Sequence, residues 1–123
     1  METEKDISHS LEDYLKTIYL LSGKDNCVRL IDIAEKLSVS KPSANRAVAL
    51  LKEKELVTHT AYGPVLLTSK GIETAENLIA KYKTIKRFLM EVLNINETVA
   101  DSEACIIEHT IDDAVLEKMV SLI

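Results

Sequence analysis

Apolar positions along the first half of the chain recur at the spacing of an amphipathic helix. In SLEDYLKTIYLL they fall three or four residues apart and predict a helix over about residues 10–22. Its buried stripe consists of Leu11, Tyr14, Leu15, Ile18 and Leu21. The polar run GKDN at 23–26 ends this helix, and a short second helix follows around IDIAEKL, with Ile33, Ala34 and Leu37 directed inward.

A third helix is indicated by SVSKPSANRAVALLKEKEL. Ser40 is suited to cap it, and Pro42 falls in the first turn, where its missing N–H costs nothing. The apolar positions repeat at i, i+3, i+4 and i+7, so one side is expected to be buried. That side consists of Ala44, Ala47, Val48 and Leu51.

After Glu55 the pattern changes from helical to β-prone. The runs LVTHT and VLLT, separated by AYGP with Gly63 and Pro64, predict a hairpin. Thr68 is then expected to cap a long helix reaching about Leu93, followed by a helix through DSEACIIEH and a last one over DDAVLEKMVSLI. The order predicts a mainly α protein, with a winged helix-turn-helix DNA-binding domain over 1–70 and an all-helical domain over 71–123.

Charge is distributed unevenly, although the net charge is only −5. No acidic residue lies between Lys36 and Lys52, and no basic one lies between Phe88 and Glu117. This asymmetry favours a nucleic-acid face in the first part and cation attraction in the second. Solvated helix faces would produce the same pattern, so charge alone leaves both interpretations open.

The third helix has the features of a DNA-reading helix. With its apolar stripe turned inward, Ser43, Asn45, Arg46 and Ala49 face outward, where Arg46 could contact guanine and Asn45 adenine in the major groove. Residues suited to phosphate contacts are Ser40, Lys41, Ser43 and Lys52. The hairpin turn has no Lys or Arg, so its DNA contact would depend on Tyr62, His59 or backbone N–H groups. The alternative is that these side chains are merely solvated.

The stretch SEACIIEHTI contains a second candidate site. Cys105, Glu108 and His109 stand at i, i+3 and i+4, so a helix would project a thiolate, a carboxylate and an imidazole from one face, a set able to bind a transition metal. A fourth ligand must come from elsewhere, and Asp13, off the apolar stripe of the first helix, is the candidate. A small core cysteine beside a surface Glu–His pair would fit the same spacing.

The segments SLEDYLKTIYLL, IDIAEKLSVSKPS, LLTSKG and SEACIIEH, in this order, resemble the iron- and manganese-dependent repressors of the diphtheria toxin repressor and manganese transport regulator family. The resemblance extends from about residue 10 to residue 123. It implies a homodimer in which each protomer has a winged-helix DNA-binding domain and a helical dimerisation and metal-binding domain. Longer family members carry a third, SH3-like domain, for which this chain has no room.

Carried over from the family, the principal metal site falls on Asp13, Cys105, Glu108 and His109. The hard Asp13 matches the manganese type and the soft Cys105 the iron type. This sequence departs from the family at the second metal site, where the positions of the family's ligands are occupied by Tyr82, Lys86, Asp101 and Lys16. Two lysines at ligand positions would repel a second cation, so the resemblance implies one divalent metal per protomer, Mn or Fe(II), with Zn or Co as alternatives.

These expectations together predict a metal-dependent transcriptional regulator that binds double-stranded operator DNA as a homodimer. We expect it to act as a repressor. One alternative is a winged-helix regulator whose metal site has degraded. Another is a metal-binding dimerisation protein without specific DNA recognition. An enzyme is not indicated, since neither a phosphate-binding glycine loop nor a paired-carboxylate pocket is visible, and no small organic substrate is expected.

Location is predicted from what the sequence lacks. The polar start METEKDISHS is unlike a signal peptide, and no apolar run approaches the length of a membrane span. Cys27 and Cys105 alone do not form a disulfide framework. We therefore expect a cytoplasmic protein without membrane association.

Overall fold

Six helices and one hairpin make up the part of the chain that the computed structural model describes, residues 9–123. In chain order they are α1 (His9–Ser22), α2 (Leu30–Leu37), α3 (Lys41–Glu53), β1 (Val57–His59), β2 (Val65–Leu67), α4 (Ser69–Glu91), α5 (Glu97–Ile107) and α6 (Asp113–Ser121). The mainly helical class and the predicted element order are confirmed. The polar N-terminal segment 1–8 lies outside the described residues.

The chain forms two compact units, the first ending at Glu76 and the second beginning at Asn77. The two-domain division after residue 70 that the sequence predicts stays a prediction. Among residues 9–123, no helix is long and apolar enough to cross a membrane.

The core of the first unit is formed by the inner faces of α1, α2 and α3 together with buried side chains of the hairpin. The predicted stripe of α3 is fully enclosed, with Ala44, Val48 and Leu51 at 0% exposure and Ala47 at 6%. On α1, Leu15 and Ile18 are buried, whereas Leu21 at the end of its stripe is 37% exposed. The helix-turn-helix corner is three residues long, from Ser38 to Ser40. Ser38 turns the chain in the left-handed region at φ 56°, and its N–H bonds the carbonyls of Ala34 and Glu35 in α2.

The hairpin is antiparallel, with Val57 opposite Leu67, Thr58 opposite Leu66 and His59 opposite Val65. Its turn is closed by a hydrogen bond from the Gly63 N–H to the Thr60 carbonyl, 2.9 Å long. Tyr62, rather than Gly63, takes the left-handed conformation there, at φ 63°.

Two contacts beside the hairpin were not predicted. Val28, just before α2, exchanges two backbone hydrogen bonds with Val65, at 3.0 and 2.7 Å. The Asn26 side chain bonds both backbone groups of Leu67, donating to its carbonyl at 2.9 Å and accepting from its N–H at 2.8 Å. The segment after α1 therefore extends the hairpin on its β2 side.

The predicted cap of α4 is present. Thr68 Oγ1 accepts from the Gly71 N–H at 3.0 Å and donates to the Glu55 carbonyl at 2.7 Å. Gly71 is required by close packing, because a Cβ there would lie 2.0 Å from the Leu56 carbonyl oxygen. The start of α4 thus packs directly on the backbone that leads into β1.

In the second unit, α5 begins earlier than the sequence suggested. Asn96 caps it, accepting from the Val99 N–H at 3.0 Å, so the first helical residue is Glu97. The predicted aspartate cap of the last helix is Asp112, which accepts from the Ala114 N–H at 2.8 Å. The buried apolar side chains of this unit are Leu78, Ile85, Ala100 and Ala104. No side chain of α6 is buried.

Candidate nucleic-acid interface and metal centre

One side of α3 is buried in the core, and the opposite side is therefore exposed. Lys41, Asn45, Arg46 and Ala49 are exposed, and Ser43 is half-buried at the first turn. Ser40 holds the helix start, accepting from the Ser43 N–H at 3.1 Å and donating its hydroxyl to Ser43 Oγ at 2.9 Å. Since Pro42 occupies the first turn, the helix begins without an intrahelical donor at that position.

Arg46 is oriented along this face by its neighbour. Its Nη2 donates to Ser43 Oγ at 3.3 Å, so the chain Ser40, Ser43, Arg46 is linked by hydrogen bonds. An arginine steadied by a weak neutral contact keeps most of its donors available for a bidentate acceptor. The α3 face can therefore present a guanidinium, an amide and hydroxyls to the base edges and phosphates of a DNA duplex.

Lys52 lies at the other end of α3 and has a contact that the sequence did not indicate. Its Nζ donates to the backbone carbonyl of His59 at 3.0 Å, which connects α3 to β1. The turn of the hairpin extends outward, and Tyr62 at its tip is fully exposed, at 107%. A tyrosine in this position offers a ring and a hydroxyl, in a turn that has no Lys or Arg.

A groove of about 960 Å³ runs between the start of α2, the start of α3 and the hairpin turn. Its polar and charged lining comes from Arg29, Lys41, Asn45 and His59, and its apolar lining includes Ile31, which is 46% exposed. Arg29 also pairs with Asp32 at 3.2 Å. Sequence reasoning missed Arg29 and Ile31. The sequence feature that could have indicated Ile31 is that it does not continue the inward stripe of the short helix, which contains the buried Ile33 and Ala34.

At the candidate metal site, the predicted helix includes only part of the segment that contains Cys105, Glu108 and His109. Helix α5 ends at Ile107, and Glu108 is its cap in helical conformation. His109 and Thr110 then form a tighter turn, because their N–H groups bond carbonyls three residues back, at 3.3 and 3.0 Å. Cys105 is thus the only one of the three inside the helix, and the expectation of a single helical turn bearing all of them is corrected.

Their surroundings differ as well. Glu108 is 1% exposed, His109 is half-buried and Cys105 is exposed. Asp13, on α1 of the first unit, is exposed. Across residues 9–123, no three His, Cys, Asp or Glu side chains are grouped so as to hold a metal ion. The donor chemistry of these side chains nonetheless suits a divalent transition metal.

A polar cluster joins α4 and α5 in the second unit. Lys86 Nζ lies 3.3 Å from Glu97 Oε2 and 3.4 Å from Asp101 Oδ1. The Tyr82 hydroxyl donates to the same Asp101 Oδ1. This hydrogen bond, with partial burial and the Asp101 charge, raises the pKa of Tyr82. The hydrogen bond to Glu97 is the main cause that raises the pKa of Lys86, against a smaller lowering by desolvation.

Comparison with known proteins identifies both halves of the chain. Residues 6–65 match the iron-dependent repressor N-terminal DNA-binding domain. Residues 68–123 match the iron-dependent repressor metal-binding and dimerisation domain. The chain belongs to the iron-dependent repressor family. The predicted resemblance is confirmed, and the family is one of transcriptional regulators.

Individual relatives agree with this assignment. An uncharacterised helix-turn-helix transcriptional regulator of Methanocaldococcus jannaschii is 36% identical over 114 residues, which cover 92% of this repressor-family chain and 91% of that protein. The solved manganese regulator SloR is 38% identical with a TM-score of 0.77, covering 91% of this chain and 52% of SloR. ScaR, solved with bound Zn²⁺, is 30% identical with a TM-score of 0.78, covering 91% of this chain and 52% of ScaR. The chain therefore spans about half the length of these two solved regulators.

Proposed function

We propose that this iron-dependent repressor family member is a metal-dependent transcriptional repressor that binds operator DNA as a homodimer. The observation that carries the proposal is the outer face of α3, where Asn45 and Arg46 stand exposed on a helix whose opposite side is buried in the core. This face lies within the part of the chain that matches the family's DNA-binding domain. A helix held in this way can enter a major groove without distortion of the domain.

The proposed contacts divide into base-reading and backbone-positioning groups. Arg46 would bridge the O6 and N7 acceptors of a guanine, and Asn45 would pair with an adenine. Phosphates would be bound by Ser40, Lys41, Ser43 and Lys52, with Tyr62 of the hairpin turn reaching the flanking backbone. Because Lys52 also bonds the His59 carbonyl, it would fix the hairpin relative to α3.

For the metal we propose Asp13, Cys105, Glu108 and His109 as ligands, with one divalent cation per protomer, Mn or Fe(II). Support comes from the match of residues 68–123 to a metal-binding domain and from the mixed hard and soft donor set. Bound cation would favour the protein geometry that binds DNA. Without that difference in affinity between geometries, metal would not regulate binding.

Dimerisation is proposed through the second unit. Helix α6 has no buried side chain, and Val115, Val120 and Leu122 are 48%, 55% and 64% exposed. Exposed apolar side chains on one short helix are typical of a surface that is covered in an assembly. A two-fold dimer would bring two α3 helices to half-sites about 34 Å apart, or a multiple of that distance. Operator binding implies a cytoplasmic location.

The test is a titration of DNA binding against Mn²⁺, Fe²⁺ and Zn²⁺, with operator candidates selected from a random duplex library by the metal-loaded protein. We expect tight, sequence-specific binding only with metal, and loss of the metal dependence in His109→Ala. Thr110→Ala, at the exposed position next to His109 and outside the proposed ligand set, is the matched control.

Two outcomes would favour other functions. Specific DNA binding that is indifferent to all three metals would indicate a regulator with a degraded metal site. Stoichiometric metal binding by a dimer that selects no DNA sequence would indicate a metal-binding dimerisation protein.

A further inference from the structure

Two carboxylates of the second unit converge on the ammonium group of Lys86, which also lies over the ring of Tyr82. The Glu97 and Asp101 carboxylates lie 3.3 and 3.4 Å from Nζ. Tyr82, one turn before Lys86 on α4, donates its hydroxyl to the same Asp101 oxygen that Lys86 contacts. The ammonium also lies 6.0 Å from the centre of the Tyr82 ring. The group therefore has the composition of a cation site, with a lysine as the cation.

The spacing of these residues gives the cluster two helical rows. Tyr82 and Lys86 are four residues apart on α4, and Glu97 and Asp101 are four residues apart on α5, so each pair shares one helix face. The α5 row continues to Cys105, four residues after Asp101. The cluster and a proposed metal ligand thus share one face of α5.

The position of Lys86 is better defined than that of an ordinary surface lysine. Its side chain is only 24% exposed, while Glu97 and Asp101 are 72% and 47% exposed. A long side chain held at one point by two carboxylates loses rotamer freedom, which an isolated surface pair rarely compensates. Two acceptors and an aromatic face together form a network, for which the gain is larger.

We propose that Lys86 is a built-in cation that occupies a divalent-metal position formed by Glu97, Asp101 and Tyr82. It holds α5 against α4 before any metal arrives, and so presets the helix that carries Cys105. It also closes this position to a second metal.

The decisive variant is Lys86→Met, which keeps the length of the side chain and removes its charge. Left without the ammonium, the two carboxylates form an anionic oxygen site that suits Mn²⁺, with the Tyr82 hydroxyl donating to one of them. We expect Lys86→Met to bind one Mn²⁺ more per protomer than the wild-type protein, counted from the electron paramagnetic resonance signal of free Mn²⁺. Lys86→Arg, which keeps the charge, and Lys83→Met, at an exposed position on the same helix, should bind the wild-type number.

A second readout concerns the metal-free protein. Loss of the ammonium should lower its melting temperature by about 2–5 °C, and millimolar Mn²⁺ should restore it. Lys83→Met should change neither value. If Lys86→Met does not fold, refolding by Mn²⁺ would support the proposal, and a failure to refold would overturn it.

The proposal is tested by the difference in bound Mn²⁺ per protomer between Lys86→Met and the wild-type protein. That the wild type binds one metal rests on the proposed function. That Lys86→Met binds one more does not. A wild-type protein that already binds Mn²⁺ at this cluster, or a folded Lys86→Met that gains none up to millimolar Mn²⁺, would overturn the proposal while leaving metal-dependent repression intact. A wild type that binds no metal, with a variant that binds one, would contradict the proposed function and support the built-in cation.

Discussion

Arg46 is the residue on which specific DNA recognition should depend most. Its guanidinium is exposed and donates to Ser43 Oγ at 3.3 Å, so it can exchange that weak contact for a bidentate one to guanine. We expect Arg46→Ala to cost about 1–3 kcal/mol of binding free energy on a cognate site and to relax preference at one base position. Fluorescence anisotropy with cognate and single-substituted duplexes measures both effects.

Two matched variants make the Arg46 result interpretable. Arg87→Ala removes the same charge from an exposed position of α4, where Arg87 pairs with Glu91, and should leave DNA binding unchanged. Lys52→Ala should weaken binding to all sequences alike, because a phosphate contact carries no base information. Unchanged specific affinity in a folded Arg46→Ala protein would show that α3 is not the reading helix.

Tyr82 makes the free energy of unfolding depend on pH, and the direction of its raised pKa determines the sign of that dependence. The Asp101 hydrogen bond raises its pKa above the ordinary value of 10.0. A raised folded-state pKa contributes stability that is fully present below about pH 10 and is lost as pH rises through the folded value. The free energy of unfolding should therefore fall more steeply from pH 9 to 11 in wild type than in Tyr82→Phe.

Urea denaturation at several pH values in this range tests the Tyr82 effect. Tyr62→Phe, at the fully exposed turn position, is the control and should retain the wild-type slope. Tyr19, whose pKa is also raised by its own hydrogen bond to Glu76, is present in all three proteins and cancels in the difference. Equal slopes in wild type and Tyr82→Phe would contradict the assignment of the Asp101 hydrogen bond.

At the scale of elements, Gly71 fixes how α4 starts. A Cβ at this position would lie 2.0 Å from a backbone oxygen of Leu56, which cannot rotate away. We expect Gly71→Ala to destabilise the protein by about 1–3 kcal/mol, against the gain that alanine normally gives within a helix. Thermal unfolding measures it, with Glu73→Ala on the exposed side of the same turn as control. A stability gain in Gly71→Ala would mean that α4 and the Leu56 strand entry are not in close contact.

Elements were predictable from sequence where their signal was local and periodic. The burial of Ala44, Ala47, Val48 and Leu51 follows from spacing alone, and the Ser40 and Thr68 caps follow from residue type next to a helical pattern. The bridge from Val28 to Val65 and the Asn26 contacts with Leu67 had no such signal, because one residue pair has no period. The early start of α5 was missed because the helix was placed over DSEACIIEH, although Asn96, five residues earlier, caps it.

The candidate sites show the same division between local and long-range information. The outer face of α3 was predicted correctly as exposed, since burial of one helix face determines the other. For Cys105, Glu108 and His109, spacing predicted one helical face, but the helix ends at Ile107 and their exposures differ. Whether Asp13 joins them stays a prediction, because spacing carries no information on contacts between distant segments.

At the scale of the whole molecule, the exposed apolar side chains of α6 should be the dimer surface. Replacement of Val120 by Asp introduces a charge that would be desolvated in an interface, and charge burial without a partner is strongly unfavourable. We expect Val120→Asp to be monomeric at micromolar concentration, where the wild-type protein is dimeric, as measured by sedimentation velocity. Since Val120 is 55% exposed, the fold of the protomer should survive, which circular dichroism checks.

DNA binding connects this surface to function. A monomer loses the second half-site, so Val120→Asp should bind a two-half-site operator with roughly the affinity that wild type has for a single half-site. Ser69→Asp, which adds the same charge at the exposed start of α4, should remain dimeric and bind the full operator normally. A wild-type protein that is strictly monomeric with and without metal would remove the basis for two-fold operator recognition. A dimeric Val120→Asp would place the interface elsewhere than on α6.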